Sequence, residues 1–445
     1  MHDASERPAR PADDGQPASR SGRASERPAR LTDDGLSAGR SGRAVLFTGK
    51  GGGGTTTVAA ATATLAAQRG HRTLLVSFNP LGGLTATLDH PVAGEPVELE
   101  PGLFGQQVDL QGSFERRWDG LRPLLDVAWA HADIDPIEAE ELAGLAGVGE
   151  TLALLELRDQ LASDRYDLVV VDAGPAADAL RLLAFPETLS WYCRRLLPPD
   201  GRFVRWIRPS LARSARLATR FGHLAEPVYD VLTRLRATAA DLREILTDPA
   251  RTSVRLVLTP ETASLAVTRQ MFTALSLHGL PVDAVIANRV IGPGGGDVWR
   301  AGWAASHREQ LEQIEAAFAP LPVLRAAYRG GEPVGLEELA AFGAAAYGSL
   351  DPAGVLGARA GVDGETPRVE RTEDGYALSF GVPFATRGDV DLARMGDELV
   401  VTVGPHRRLL ALPAALRRCD VSAAWLRDDR LVVSFVPDPD QWVRA

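Results

Sequence analysis

Apolar and polar positions change their rhythm several times along the chain, and each change marks an element. Ala44–Thr48 (AVLFT) is a short apolar run that stops at glycines. Thr56–Gln68 is Ala-rich and helix-favouring and ends at Gly70, and Arg72–Phe78 (RTLLVSF) is a second apolar run. Strand, loop, helix and strand in that order form the unit of a parallel sheet. Asp167–Asp172 (DLVVVD), Val254–Thr259 (VRLVLT) and Val282–Ala287 (VDAVIA) repeat the theme, with helical stretches between them. The predicted fold class is α/β, a doubly wound domain over residues 44–350.

Residues of about 185–250 depart from this rhythm. They are rich in Arg and Leu, with apolar positions three and four apart, as in Leu211, Ala215, Leu217 and Phe221. That period predicts a helical insert, whose apolar stripe suits either a packed core or a ligand site. Residues 351–366 are rich in Gly, Ala and Pro and read as a linker. Beyond them, over 367–440, Tyr376–Val382, Glu398–Val403, Arg408–Leu412 and Arg430–Val436 are short alternating runs. Turn signals at Glu373-Asp374-Gly375 and Asp428-Asp429 separate such runs, so a small all-β sandwich is predicted. Tyr376, Leu378, Phe380 and Val382 share one face of their strand, and Leu399, Val401 and Val403 face the same core.

The first 43 residues have no such rhythm. Residues 4–23 (ASERPARPADDGQPASRSGR) recur as residues 24–43 (ASERPARLTDDGLSAGRSGR) in a 20-residue tandem repeat poor in large apolar side chains. This composition predicts a disordered tail, either a basic arm or a segment of no specific role.

Composition narrows the function classes. Apolar residues make up 45% of the 445, enough for a sizeable core, but apolar runs fall well short of a membrane span. The Arg-rich start has no apolar secretion signal, so a cytoplasmic location is expected. A net charge of -10 argues against binding nucleic acid through its phosphates. Two distant cysteines, Cys193 and Cys419, supply neither a disulfide framework nor a zinc site. The eight histidines are scattered, and no G-x-S-x-G elbow appears. Among 48 basic residues there is one lysine, Lys50, and it lies in a glycine-rich loop.

That loop, Thr48–Thr57, reads TGKGGGGTTT between a predicted strand and a predicted helix. Glycines let backbone N–H groups turn towards an anion, and the following helix presents its positive end there. The same residues also suit a plain glycine-rich turn.

The loop resembles the deviant phosphate loop KGGxGK[ST] of the ArsA/GET and MinD-like ATPases, with Lys50, Gly51, Gly52, Gly54, Thr56 and Thr57 matching. Ser77–Leu84 (SFNPLGGL) resembles the family's switch I segment, and Asp172–Leu183 (DAGPAADALRLL) its switch II segment. Thr259-Pro260-Glu261, Asn288-Arg289-Val290 and Glu332–Leu339 resemble three later family segments, so the likeness spans about 44–350. Tyr376–Val436 resembles the small heat-shock (α-crystallin-like) domain that ends some bacterial ArsA-type proteins.

The resemblance implies a P-loop ATPase domain that binds ATP and Mg2+, with Gly49, Lys50, Gly51, Gly52, Gly53, Gly54, Thr55, Thr56 and Thr57 around the phosphates. Lys50 falls on the signature lysine that reaches phosphate across a dimer interface, Thr56 on the magnesium-binding hydroxyl, Asp172 on the magnesium shell, and Asn288 on the adenine contact. Asp172 alone would equally suit a loop cap.

Two departures bear on activity. Thr55 stands where the motif has its second lysine, and Asn79 stands where switch I has the aspartate that orients the attacking water. A hydroxyl cannot neutralise phosphate, and an amide cannot act as a base. The expectation is a nucleotide-binding, dimeric ATPase-like protein with weak or lost hydrolysis, pairing with itself or with an ArsA-like paralogue. An active ATPase in which an arginine replaces the lost charge, and a chaperone-like scaffold holding a protein client, are the alternatives. The cysteine cluster of arsenite sites and the zinc CxxC of GET-type dimers are both absent.

Overall fold

The computed structural model describes residues 42–79, 83–109, 112–113, 147–196, 225–294, 297–357 and 367–438. Residues 4–41 of the N-terminal repeat, Leu211, Ala215, Leu217 and Phe221 of the helical insert, and Pro80–Gly82 of the switch I segment lie outside the described residues; the last residue of the repeat, Arg43, already belongs to the first strand of the sheet and not to a tail.

Strand β1 (Arg43–Gly49) leads through the glycine-rich loop into helix α1 (Thr55–Gln68) and strand β2 (Thr73–Ser77). The short helix α2 (Leu84–Leu88), β3 (Val97–Glu100) and β4 (Leu103–Gln107) follow. Helix α3 (Val148–Ala162) precedes β5 (Leu168–Pro175) and helix α4 (Ala176–Leu196). Helix α5 (Ala225–Thr247), β6 (Thr252–Leu258), helix α6 (Thr262–His278) and β7 (Val282–Val290) come next. Helix α7 (Val298–Phe318), β8 (Val323–Ala327) and helix α8 (Leu336–Tyr347) complete the α/β part.

The sheet order is β3-β4-β2-β5-β1-β6-β7-β8. All pairings are parallel except β3 with β4, which closes one edge. The central strands are buried along nearly their whole length and are mostly apolar, as a sheet covered on both faces requires. Val45, Phe47, Leu75 and Val170 pack under α1 and α8, while Leu46, Val169, Val171 and Leu256 pack under α3 to α7. Helix α1 is buried along most of its length, which its small alanines permit. A Cβ at Gly343 of α8 would lie 2.6 Å from the Ala61 carbonyl oxygen, so the two helices approach closely.

Register decides where chemistry collects. Phe47 of β1 and Ser77 of β2 both pair with Asp172 of β5, which brings the carboxyl ends of three adjacent strands together. Ligands of open α/β sheets bind at that end.

The C-terminal part contains β9 (Arg368–Arg371), β10 (Tyr376–Gly381), β11 (Val390–Met395), β12 (Glu398–Val403) and β13 (His406–Ala411). A single helical turn, α9 (Ala414–Arg417), leads to β14 (Cys419–Arg427) and β15 (Arg430–Pro437). Two antiparallel sheets, β14-β15-β10-β9 and β11-β12-β13, enclose Leu378, Phe380, Val382, Leu399, Val401 and Val403. Tyr376 is partly buried against the same cluster.

Composition did not foreshadow how firmly this sandwich is seated on the α/β part. Leu277 of α6 belongs to its apolar core. Phe384 packs edge-on to Phe318 with ring centres 5.6 Å apart, and the Thr273 hydroxyl donates to the Pro383 carbonyl at 2.6 Å. Asp351–Gly357, the start of the Gly/Ala/Pro-rich stretch, is held as well. The fully buried Arg255 guanidinium donates to the carbonyls of Pro352 and Gly354 at 2.8 Å each and pairs with Asp283 at 3.0 Å.

Candidate functional site

The glycine-rich loop joins β1 to α1, and its glycines have different reasons to be there. At Gly49 a Cβ would lie 1.9 Å from the Val257 carbonyl oxygen, so this glycine serves the packing of β1 on β6. Gly52 and Gly54 have φ of 80° and 86°, a backbone region that favours glycine. Gly51 has open space where a Cβ would stand. The Gly53 N–H donates to the Lys50 carbonyl at 3.0 Å and closes the turn.

Gly54 is the residue before α1 and offers no side chain to cap it. The first N–H groups of a helix have no partner within it, and the helix dipole adds partial positive charge. Thr55, Thr56 and Thr57 occupy this first turn, which contains no acidic residue. The result is an anion cradle built from backbone donors.

Asp172 lies at the carboxyl end of β5, fully buried beside the loop. Its Oδ2 accepts the Thr56 hydroxyl at 2.7 Å and the Ser77 hydroxyl at 3.3 Å, and its Oδ1 accepts the Gly174 N–H at 3.3 Å. All three partners are neutral. Burial pushes the carboxyl above its ordinary range, and these hydrogen bonds offset only part of that shift. A buried carboxylate beside a threonine hydroxyl, with no cationic partner among the described residues, is a donor set that fits a hard divalent cation. Asn79 is half-buried near this group; its N–H donates to the Ser77 hydroxyl at 3.3 Å and its carbonyl accepts from Gln107 at 2.9 Å.

Asn288 ends the buried run of β7. Its side-chain amide donates to the Gly53 carbonyl at 2.9 Å, and its Oδ1 accepts the Arg289 N–H at 2.8 Å. The second bond accompanies φ of 58° at Arg289, a left-handed conformation that is costly for an arginine. Asn288 therefore braces the loop as well as facing the adjoining cleft. That cleft, of about 430 Å³, is lined by Gly54, Thr57, Asn288, Arg289, Tyr328 and Arg329, among others. Thr55 is buried, and Lys50 is half-buried without an acidic partner among the described residues.

The fold thus gathers the loop, Asn79, Asp172 and Asn288 at one end of the sheet. Sequence reasoning assigned no role to Ser77, Gly174, Tyr328 or Arg329. The Thr48 hydroxyl donates to the Gly174 carbonyl at 3.0 Å and ties the loop strand to the switch II segment. No spacing in the chain could have paired residues that far apart; the register of β1 on β5 does it.

A glycine-rich strand-to-helix loop with a Thr–Asp pair at the carboxyl end of a parallel sheet defines a P-loop nucleotide-binding fold. Comparison with known proteins agrees. A family model described as anion-transporting ATPase matches residues 42–348, and one described as the HSP20-like domain found in ArsA matches residues 373–435. An uncharacterised protein of Streptomyces coelicolor is 37% identical over 407 residues, covering 90% of this chain and 99% of that protein. A Mycobacterium tuberculosis protein is 31% identical over 428 residues, covering 89% and 96% of the two chains. A provisionally named arsenical pump-driving ATPase of Chlorobaculum tepidum is 29% identical over 391 residues, covering 87% and 95%. The chain belongs to the anion-transporting ATPase (ArsA) family and carries the HSP20-like domain found in ArsA over residues 373–435.

No helix among the described residues is long and apolar enough to cross a membrane.

Proposed function

We propose that this chain is a nucleotide-binding, dimeric member of its family in which hydrolysis is weak or lost. The observation that carries this reading is the composition of the phosphate cradle. Backbone donors, Thr56 and Asp172 are in place, while the first turn of α1 holds the neutral Thr55 where the family motif has a lysine. Charge that moves onto phosphate oxygens during transfer would meet a hydroxyl instead of an ammonium. Asn79 adds to this, because an amide cannot polarise an attacking water as a carboxylate does.

In this reading the loop N–H groups hold the phosphates, and the cleft beside Asn288 holds the base. Thr56 and Asp172 would hold Mg2+, whose charge offsets that of the phosphates. Lys50, without an acidic partner among the described residues, would reach the phosphates bound by a second subunit, a copy of this chain or an ArsA-like paralogue.

One observation keeps an active ATPase in view: Arg289 and Arg329 both line the cleft beside Gly54 and Thr57. In the described geometry Arg329 pairs with Glu338 at 2.8 Å. Of these two, Arg289 has no ion pair among the described residues, and it would be the one to compensate for Thr55.

Calorimetric titration of the full chain with ATP and Mg2+ tests the reading, together with turnover measurements. Binding with little turnover is expected, and Thr55→Lys with Asn79→Asp should raise the rate. Robust turnover by the unaltered chain, abolished by Arg289→Ala, would favour the active enzyme. Absence of binding to either form would favour a client-holding scaffold.

A further inference from the structure

Helix α4 begins at Ala176, directly after the Asp172–Pro175 end of β5. Its first residues are therefore tied to the nucleotide site through Asp172, the Gly174 N–H on that carboxylate and the Thr48 hydroxyl on the Gly174 carbonyl. Eleven residues later, about 16 Å along the helix axis, comes Glu187. This carboxylate has three basic partners on three other elements. Arg408 of β13 donates its Nε to Oε1 at 3.1 Å, Arg243 of α5 approaches Oε1 at 3.0 Å, and His278 at the end of α6 meets Oε2 at 3.0 Å. Arg408 is only 1% exposed and also donates to the Leu277 carbonyl. Four residues beyond Glu187, the Trp191 indole N–H donates to the Glu398 carboxylate of β12 at 2.9 Å.

One helix thus leads directly from the strand end that carries Asp172 and meets the sandwich at its middle. Two further features allow it to move. Pro186, immediately before Glu187, lacks the N–H that would bond one turn back, which leaves a weak point in the helix. The joint is also not filled: a cavity of about 260 Å³ opens between Ser190 and Arg243 on the helical side and Val369, Leu410 and Pro413 on the sandwich. Packed interiors resist displacement, whereas a joint with free volume permits alternative seatings.

We propose that α4 couples nucleotide occupancy to the HSP20-like sandwich, with Glu187 as the residue that transmits a shift of the switch II segment to β12 and β13. The coupling rests on the nucleotide-binding reading above. A change at Asp172 or Gly174 displaces the first turn of α4, and Glu187 carries Arg408 with it because a buried guanidinium follows its counter-charge. The sandwich then differs in its seating, and in what its exposed strand edges offer, between the free and the nucleotide-bound chain.

Hydrogen exchange on the full chain, with and without ATP and Mg2+, tests this. Segment 49–57 reports binding and segment 398–411 reports transmission. The expected result is altered exchange in both segments of the unaltered chain. In Glu187→Gln the change at 49–57 should persist and the change at 398–411 should vanish. Trp191→Phe, which removes one hydrogen bond and leaves the ionic cluster intact, should reduce the response at 398–411 while the chain remains folded by circular dichroism. Altered exchange at 49–57 with none at 398–411 in the unaltered chain would overturn the coupling while leaving nucleotide binding intact. A response at 398–411 that survives in a folded Glu187→Gln chain would remove Glu187 from the route. Silence in both segments, with no calorimetric binding, would refute nucleotide binding and the coupling with it.

Discussion

Two glycines three positions apart in the phosphate loop should respond to alanine in opposite ways. At Gly54, φ is 86° and an added Cβ would lie 2.4 Å from the Asn288 side-chain nitrogen. Placing alanine in a left-handed conformation costs about 1–2 kcal/mol. Pushing the Asn288 amide aside breaks its buried bond to the Gly53 carbonyl, which adds about 1–2 kcal/mol. Gly54→Ala should therefore destabilise the chain by roughly 2–4 kcal/mol, a fall in Tm of about 2–5 °C for a chain of this length. It should also weaken ATP binding sharply, because the displaced amide and the distorted turn both border the site. At Gly51 no atom lies within 4 Å of the added Cβ, and φ lies outside the left-handed region. Gly51→Ala should leave Tm within about 1 °C, or raise it slightly by restricting the unfolded chain. Differential scanning calorimetry on both variants, followed by ATP titration, makes the comparison. Equal melting of Gly54→Ala and Gly51→Ala would refute the assignment of strain and the bracing role of Asn288.

Four other outcomes are expected. Thr55→Lys combined with Asn79→Asp should raise phosphate release by at least about tenfold, the scale of restoring one charged transition-state contact, as read in a steady-state assay. Lys50→Ala should reduce nucleotide-dependent association in sedimentation velocity without changing the circular dichroism spectrum. Burial alone would raise the pKa of Glu187, but the His278 hydrogen bond and the Arg408 and Arg243 charges prevail and hold it at about 2 instead of 4.5. A depressed folded pKa contributes stability above the unfolded value and loses it as pH falls, here about 3 kcal/mol between pH 4.5 and 2; in Glu187→Gln, acid unfolding followed by circular dichroism should show a shallower loss over that window. A chain truncated after Gly357 should melt higher than one truncated after Leu350, because the shorter one leaves Arg255 without the Pro352 and Gly354 carbonyls, at about 1–3 kcal/mol for each unmet bond.

The sequence alone determined the elements whose cause is local. The strands β1, β2, β5, β6 and β7 were legible because a strand buried on both faces is largely an apolar run. The glycine-rich loop was legible because backbone donors need glycine where φ is positive, and the alternating runs of β10 and β15 because one face lies on the core and the other is only partly covered. The polar edge strands gave no such signal. Residues of β14 from Asp420 to Ser422 face solvent, and β3 is largely exposed, so neither carries a period that burial would impose. The tertiary structure decided the rest. Asp172 meets Thr56 and Ser77 because parallel register aligns three strand ends, and register is a property of the sheet and not of any one strand. The role of Asn288 in bracing Gly53 joins residues separated by 235 positions. The seating of the sandwich on α4 and α6 through Glu187, Arg408 and Phe384 was equally illegible. A charged residue and an aromatic on separate elements carry no mark of their partners until folding excludes water from between them.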